Sequence, residues 1–153
     1  MNVNDIVYLK SEKEKLMITW IVGVTKDPKI PFDVDEIMKK NPTYQSGDIA
    51  IKYDKDKKAT IPVKCLIEDL NNLIPATNQG LSVGNVVKHK LTDKEMTITW
   101  IIGQINESSS PMDFNKMSKV QGFEDGDIVC GFFDKKEYKT EIIKKGEVEK
   151  IFE

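Results

Sequence analysis

Apolar and polar residues alternate through a short stretch that occurs twice in the chain. Residues 18–23 read ITWIVG, and eighty residues later residues 98–103 read ITWIIG. Every second residue from Leu16 and from Met96 is apolar, which is the period of a half-buried β-strand. Because Trp20 and Trp100 are in register with these apolar residues, the pattern predicts that both tryptophans are core anchors rather than site residues.

The repeat extends over most of each half of the chain. Segments rich in β-branched residues, with turn residues between them, are found at residues 3–10, 16–22, 47–54, 59–64 and 66–70, and again at residues 83–90, 96–102, 126–134, 138–143 and 148–152. Four or five short strands in roughly 70 residues are typical of a small barrel or sandwich. Pro62 predicts an edge position for the fourth strand, and a one-residue change of offset predicts a β-bulge at Gly131.

The repeat also predicts the domain organisation. Residues 1–72 form the first unit, residues 73–82 a linker and residues 83–153 the second unit. Each unit contains a long insertion after its second strand, with Pro31 and Asp33 matched by Pro111 and Asp113. Asp33 is a suitable N-cap, so the insertion is expected to carry a short helix over residues 34–40.

Charge and cysteine content restrict the possible partners and compartments. The net charge is −2, and all 23 basic residues are lysine, so the planar guanidinium that reads guanine and phosphate is absent. Cys65 and Cys130 are not at equivalent places in the two copies, which indicates free thiols and a cytoplasmic protein. Residues 1–15 have no apolar core of a signal peptide, and no segment has the length of an apolar membrane span.

Short motifs in both copies are similar to one known family. Residues 4–10 (NDIVYLK), 17–19 (MIT) and 52–54 (KYD) resemble the YodC-like family of small uncharacterised bacterial proteins, as do residues 84–90, 96–98 and 132–134. The resemblance implies SH3-like barrels and no established activity. The expected fold is therefore mainly β, with two tandem small SH3-like β-barrels, each with a long inserted loop that carries a short helix.

Aromatic residues at loop and turn edges are the candidate partner-binding residues: Tyr44, Phe123, Tyr53 and Phe133. Packing of the inserted loop on the barrel is the alternative role for these side chains. His89 replaces Leu9 of the first copy, and Cys130 resembles a small buried hydrophobe, so both are expected to be structural. No catalytic set, metal site or cofactor motif is recognised.

These observations favour a non-enzymatic protein–protein interaction or assembly module whose partner is another protein. A nucleic-acid-associated barrel is the alternative, with lysine-rich turns along phosphates at Lys55, Lys57, Lys58, Lys135, Lys136 and Lys139. The net acidity of the chain and the absence of arginine count against it. A small-molecule-binding protein or enzyme is the second alternative, and it requires a deep pocket with perturbed titratable groups.

Overall fold

A computed structural model describes residues 1–21, 49–54, 57–77, 80–103 and 122–153. The predicted helix over residues 34–40, the second insertion, Tyr44 and Lys55 lie outside the described residues.

The two units have the same strand order. In the first unit the strands are β1 (Ile6–Leu9), β2 (Leu16–Ile21), β3 (Ile49–Asp54), β4 (Lys57–Ile61) and β5 (Leu66–Ile67), in the order β4-β3-β2-β1-β5. In the second unit they are β6 (Val86–His89), β7 (Glu95–Ile101), β8 (Ile128–Asp134), β9 (Glu137–Ile143) and β10 (Val148–Phe152), in the order β10-β6-β7-β8-β9. All pairings are antiparallel, and in both units the last strand lies beside the first. The predicted fold class, mainly β with two small five-stranded units, is confirmed.

Each unit has its own apolar core. The first core contains Val7, Leu9, Leu16, Ile18, Ile49, Ile51, Ile61, Cys65 and Leu66, and the second contains Val87, Met96, Ile98, Ile101, Ile128, Cys130, Phe132, Ile143 and Val148. A fully buried aliphatic side chain of this kind stabilises a fold by about 1.5–3 kcal/mol. The alternation at the start of β2 and of β7 therefore predicts the core side of those strands correctly.

The prediction that Trp20 and Trp100 are core anchors is wrong. The strand register shifts by one residue immediately before each tryptophan, at a β-bulge in β2 and in β7. A bulge inserts one residue and so reverses which face the following side chains occupy. Ile21 and Ile101 consequently take the core side, whereas both tryptophans are half-buried on the outer face, the face of each sheet opposite its core.

The bulge predicted at Gly131 is also corrected. The pairing of β8 with β9 is regular from Ile128 to Asp134, whereas in the first unit the pairing of β3 with β4 shifts register between Lys52 and Asp54. Gly131 instead leaves room for Tyr138, whose side chain occupies the space that a Cβ would need. The edge position predicted from Pro62 is confirmed, since β4 is an edge strand that ends just before this proline.

Among the described residues, three strands are preceded by the same four-residue turn. In each turn the side chain of the last residue accepts a hydrogen bond from the backbone N–H of the first, at 2.8 Å for Asp5 with Asn2, 2.7 Å for Asn85 with Ser82 and 2.8 Å for Asp127 with Glu124. The third residue of each turn has a positive φ, at Asn4 (74°), Gly84 (93°) and Gly126 (94°). Asparagine and glycine are the residues that adopt this conformation most readily.

Part of the predicted linker adds to the edge of the second sheet. Pro75 forms an antiparallel bridge with Phe152 of β10, and the N–H of Ala76 donates to the carbonyl of Ile151 at 3.0 Å. This segment therefore covers backbone groups that a sheet edge would otherwise expose.

Candidate functional site

The turn between β1 and β2 of the first unit binds the outer face of the second sheet. The N–H of Ser11 donates to Oγ1 of Thr97 at 3.1 Å, and the hydroxyl of Thr97 donates to Oγ of Ser11 at 2.7 Å. The N–H of Phe133 donates to Oε1 of Glu12 at 3.1 Å. Thr97 is fully buried, so these hydrogen bonds hold the two units together in a site from which water is excluded.

An aromatic cluster lies beside these hydrogen bonds. The rings of Tyr53 and Phe133 meet edge to face, with centroids 5.2 Å apart and an interplanar angle of 72°, and the rings of Phe133 and Tyr138 are 5.5 Å apart. Both Phe133 and Tyr138 pack against the core of the first unit, and burial raises the pKa of the Tyr138 hydroxyl. Lys57 and Glu137, at equivalent positions of the two copies, form an ion pair nearby. The second unit therefore completes the core of the first.

An open cleft of about 290 Å³ lies at this junction. Its lining residues are Glu14, Lys15, Tyr53, Phe133 and Lys136. The two lysines and the glutamate are exposed, whereas the aromatic side chains are half-buried. The cleft thus has an apolar wall and a charged rim, with a volume slightly below the range of most small-molecule pockets.

A tight turn positions Lys136 at the rim of the cleft. Lys135 and Lys136 connect β8 to β9 and have φ values of 50° and 65°. Two consecutive residues with positive φ form the kind of hairpin turn that matches the twist of the flanking strands. Lys136 is therefore fixed relative to Phe133, which lies three residues earlier on the same hairpin.

Glu12 is a half-buried carboxyl group at the junction. The pKa of Glu12 is raised to about 7, mainly by burial; the hydrogen bond from the N–H of Phe133 lowers this pKa, and the nearby carboxyl group of Glu14 raises it. The ordinary pKa of this group is 4.5, so the folded protein binds the proton more tightly than the unfolded chain does. Ionisation of Glu12 consequently costs stability as the pH rises from the ordinary value towards about 7.

The variant Glu12→Gln is expected to remove this pH dependence. Glutamine keeps an oxygen acceptor for the N–H of Phe133 and cannot ionise. Above neutral pH, the free energy of unfolding of the variant should therefore exceed that of the wild type by about 1 kcal/mol. Solvent screening of the half-exposed carboxylate keeps the difference this small. Urea unfolding across mildly acidic to mildly alkaline pH measures the difference. Glu149→Gln, on an exposed position of β10, is the control. If Glu12→Gln keeps the wild-type pH profile, Glu12 does not titrate in this way.

Of the other two predicted partner-binding residues, Phe123 does not line the cleft. Tyr44 lies outside the described residues, and Phe123 is half-buried in the turn that precedes β8. The ammonium group of Lys144 lies 5.5 Å from the centre of the Phe123 ring. Of the four candidates, the structure brings Tyr53 and Phe133 together at one site.

The contacts of His89 and the burial of Cys130 are those of structural residues. Nδ1 of His89 accepts hydrogen bonds from the N–H groups of Leu91 at 3.1 Å and Thr92 at 3.3 Å, which closes the turn between β6 and β7. Burial raises the pKa of the Cys130 thiol to about 12, so this thiol carries little nucleophilic thiolate at neutral pH. Within the described ranges, no three His, Cys, Asp or Glu side chains are grouped so as to hold a metal ion.

Two lysines of the lysine-rich turns are paired with acidic groups. Lys57 forms its ion pair with Glu137, and Lys139 donates to the carboxylate of Asp134 at 3.2 Å. The paired carboxylates of Glu137 and Asp134 offset the charge of these lysines and repel phosphate. The arrangement gives no specific support to the nucleic-acid alternative.

Ser11, Glu12 and Thr97 are junction residues that the sequence did not predict. Their only signal is a difference between the copies, since Leu91, Thr92 and Met17 occupy the equivalent positions. Lys15 and Lys136 resemble ordinary surface lysines in the sequence. Only the close approach of the two units distinguishes them.

Comparisons with known proteins leave the family open. No protein-family model matches the sequence, and no curated protein or solved structure matches the chain. The resemblance to the YodC-like family therefore stays a prediction. Within the part of the chain that the structure describes, no helix is long and apolar enough to cross a membrane.

Proposed function

We propose that this protein is a non-enzymatic protein-interaction module whose partner binds the cleft between the two units. The observation that carries the proposal is the contact of Tyr53 with Phe133. These residues are at equivalent places in the two copies, and their rings meet 5.2 Å apart in the wall of the cleft. Because the two copies each contribute one wall residue, a single copy could not form this site.

The chemistry of the cleft favours a short peptide segment with an apolar and an acidic side chain. An apolar or aromatic group can pack on the exposed parts of Tyr53 and Phe133, as aromatic grooves bind peptides in other small barrels. A neighbouring carboxylate can then approach the ammonium groups of Lys15 and Lys136. Glu14 on the same rim repels a second carboxylate at its side and so gives the peptide a preferred direction.

The residues that line the cleft also support binding over catalysis. The described lining contains no histidine, cysteine or serine, and Glu14 is an exposed carboxyl group. Nucleophilic or general-base chemistry needs a nucleophile with a base in hydrogen-bond reach, positioned by a third group. An interaction module needs only the apolar wall and the charged rim.

The double variant Lys15→Glu/Lys136→Glu is expected to lose the partner. Charge reversal at both rim lysines should weaken capture at least ten-fold, because an acidic peptide would meet repulsion in place of attraction. Capture is measured with a photo-crosslinking residue at position 53 in cells that produce the protein naturally, followed by mass spectrometry.

A matched control separates the cleft from general charge effects. Lys58→Glu/Lys64→Glu makes the same charge change at two exposed lysines outside the cleft, and should capture the partner as the wild type does. Equal capture by all three proteins would contradict the proposal. A crosslinked species that disappears on nuclease treatment would contradict it as well, in favour of the nucleic-acid alternative.

A further inference from the structure

The turn-to-face part of the contact between the two units uses only one of the two turns and one of the two outer faces that the repeat supplies. The β1–β2 turn of the first unit binds the outer face of the second sheet through Ser11 and Thr97. In the second unit the equivalent turn, between β6 and β7, carries Leu91 in place of Ser11, and this leucine is 86% exposed. In the first unit the equivalent of Thr97 is Met17, on the outer face of the first sheet.

The outer face of the first sheet is open where its counterpart is closed. Ile6 pairs with Met17 across β1 and β2, so both side chains lie on this face, and Ile6 is 47% exposed. The equivalent of Ile6 in the second unit is Val86, which is fully buried although it is not part of the second core cluster. Val86 pairs with Thr97, whose side chain binds the turn of the first unit.

We propose that the chain associates head to tail with a second copy of itself, with the Leu91 turn of one copy on the Ile6–Met17 patch of the next. The Ser11–Thr97 part of the contact joins a turn on one unit to an outer face on the other, and it leaves one turn and one outer face of the repeat without this contact, so it can be repeated between copies. The chain uses one turn and one outer face internally. The β6–β7 turn and the outer face of the first sheet are left over. By the repeat, they correspond to the turn and the face that bind each other inside the chain.

The chemistry of the two contacts keeps them distinct. Inside the chain a hydroxyl–hydroxyl pair holds the turn, whereas the proposed contact joins Leu91 to apolar Ile6 and Met17. Leu91 against the buried hydroxyl of Thr97 would leave that polar group without its hydrogen bonds. The Ser11 turn therefore prefers the outer face of the second sheet. The Leu91 turn prefers the outer face of the first sheet, which it meets in another copy.

The contact is small, so the association should be weak. An interface of one turn and two or three apolar side chains belongs at the low end of specific interfaces, with a dissociation constant on the order of 10 µM to 1 mM. Each copy carries one turn and one patch, so species larger than dimers should form as the concentration rises.

Sedimentation velocity over a wide concentration range tests the association. The wild type should shift to faster species with concentration, and Leu91→Asp or Ile6→Asp should each weaken the association at least ten-fold. Ile74→Asp is the matched control, because Ile74 is 59% exposed and belongs to the linker rather than to either patch. Lys15→Glu/Lys136→Glu should associate as the wild type does, so the result is independent of the proposed cleft.

Crosslinking identifies which surfaces meet. A mixture of Ile6→Cys and Leu91→Cys proteins should give a covalent heterodimer with a short bismaleimide, while Ile74→Cys with Leu91→Cys should not; the native cysteines are fully buried. A chain that stays monomeric at all concentrations overturns the proposal. Association that survives both Leu91→Asp and Ile6→Asp overturns it too, because different surfaces would then be in contact.

Discussion

Gly84→Ala is expected to lower the free energy of unfolding by about 3 kcal/mol. Gly84 has a φ of +93°, which is unfavourable for alanine by about 1 kcal/mol. A Cβ at this position would lie 2.5 Å from the carbonyl oxygen of Lys64 in the first unit, and backbone cannot move aside as a side chain can. Overpacking of this kind costs about 1–3 kcal/mol more, and equilibrium unfolding in urea measures the sum.

Gly126→Ala is the matched control for this effect. Gly126 occupies the same place in the same type of turn, with a φ of +94°, but the nearest atom to its Cβ position is Nζ of Lys145 at 3.1 Å. This flexible end can move, so the free energy of unfolding should fall only by the cost of placing alanine at a positive φ, about 1 kcal/mol. The difference between the two variants reports the close packing of the units. Equal losses would show that Lys64 does not restrict position 84.

Asp127→Asn is expected to destabilise the protein by about 2–3 kcal/mol. Asp127 is 2% exposed, and its two carboxylate oxygens accept hydrogen bonds from the N–H groups of Glu124 at 2.8 Å and Lys145 at 3.0 Å. Asparagine has one acceptor oxygen, and its NH₂ group would face a backbone donor in a buried site. Urea unfolding at neutral pH measures the loss.

Asp5→Asn is the control, because Asp5 occupies the same turn position in the first unit. There a single oxygen accepts from the N–H of Asn2, and the equivalent residue of the second unit is already Asn85. The variant should therefore change stability by less than about 1 kcal/mol. A loss at Asp5 as large as that at Asp127 would contradict the role given to the second oxygen.

The loss of stability in acid should depend on Asp127. Burial raises the pKa of Asp127, but the hydrogen bonds from Glu124 and Lys145 outweigh this effect and hold the pKa below its ordinary value of 3.8. A depressed carboxyl pKa stabilises the fold above the ordinary value, and this stability is lost as the pH falls through the folded-state pKa. Asp127→Asn should therefore respond less than the wild type to acid.

The strands were predictable because their signals are local. The alternation in β2 and β7 and the turn residues on either side predict the strands, and Pro62 predicts an edge. The tryptophans were misplaced because a bulge changes the face of a side chain without changing the apolar pattern around it. No residue type at Thr19 or Thr99 signals that extra residue.

The junction was harder to predict because its contacts are distant in the chain. Ser11 and Thr97 are 86 residues apart, and Glu12 and Phe133 are 121 apart. Periodicity describes neighbours along a strand and contains no information on which units face each other. Phe133 and Tyr53 were recognised as turn-edge aromatics, but their mutual contact depends on how one unit docks on the other.

The packing of Phe133 and Tyr138 against the first core has a consequence for folding order. As the chain is synthesised, β1 to β5 are complete well before β8 and β9, so the first unit must form its sheet with part of its core surface open to water. The long-range contacts that close it carry a large loop-closure cost and form late. The two halves should consequently unfold in one cooperative transition, with the first unit only partly stable until the second is made.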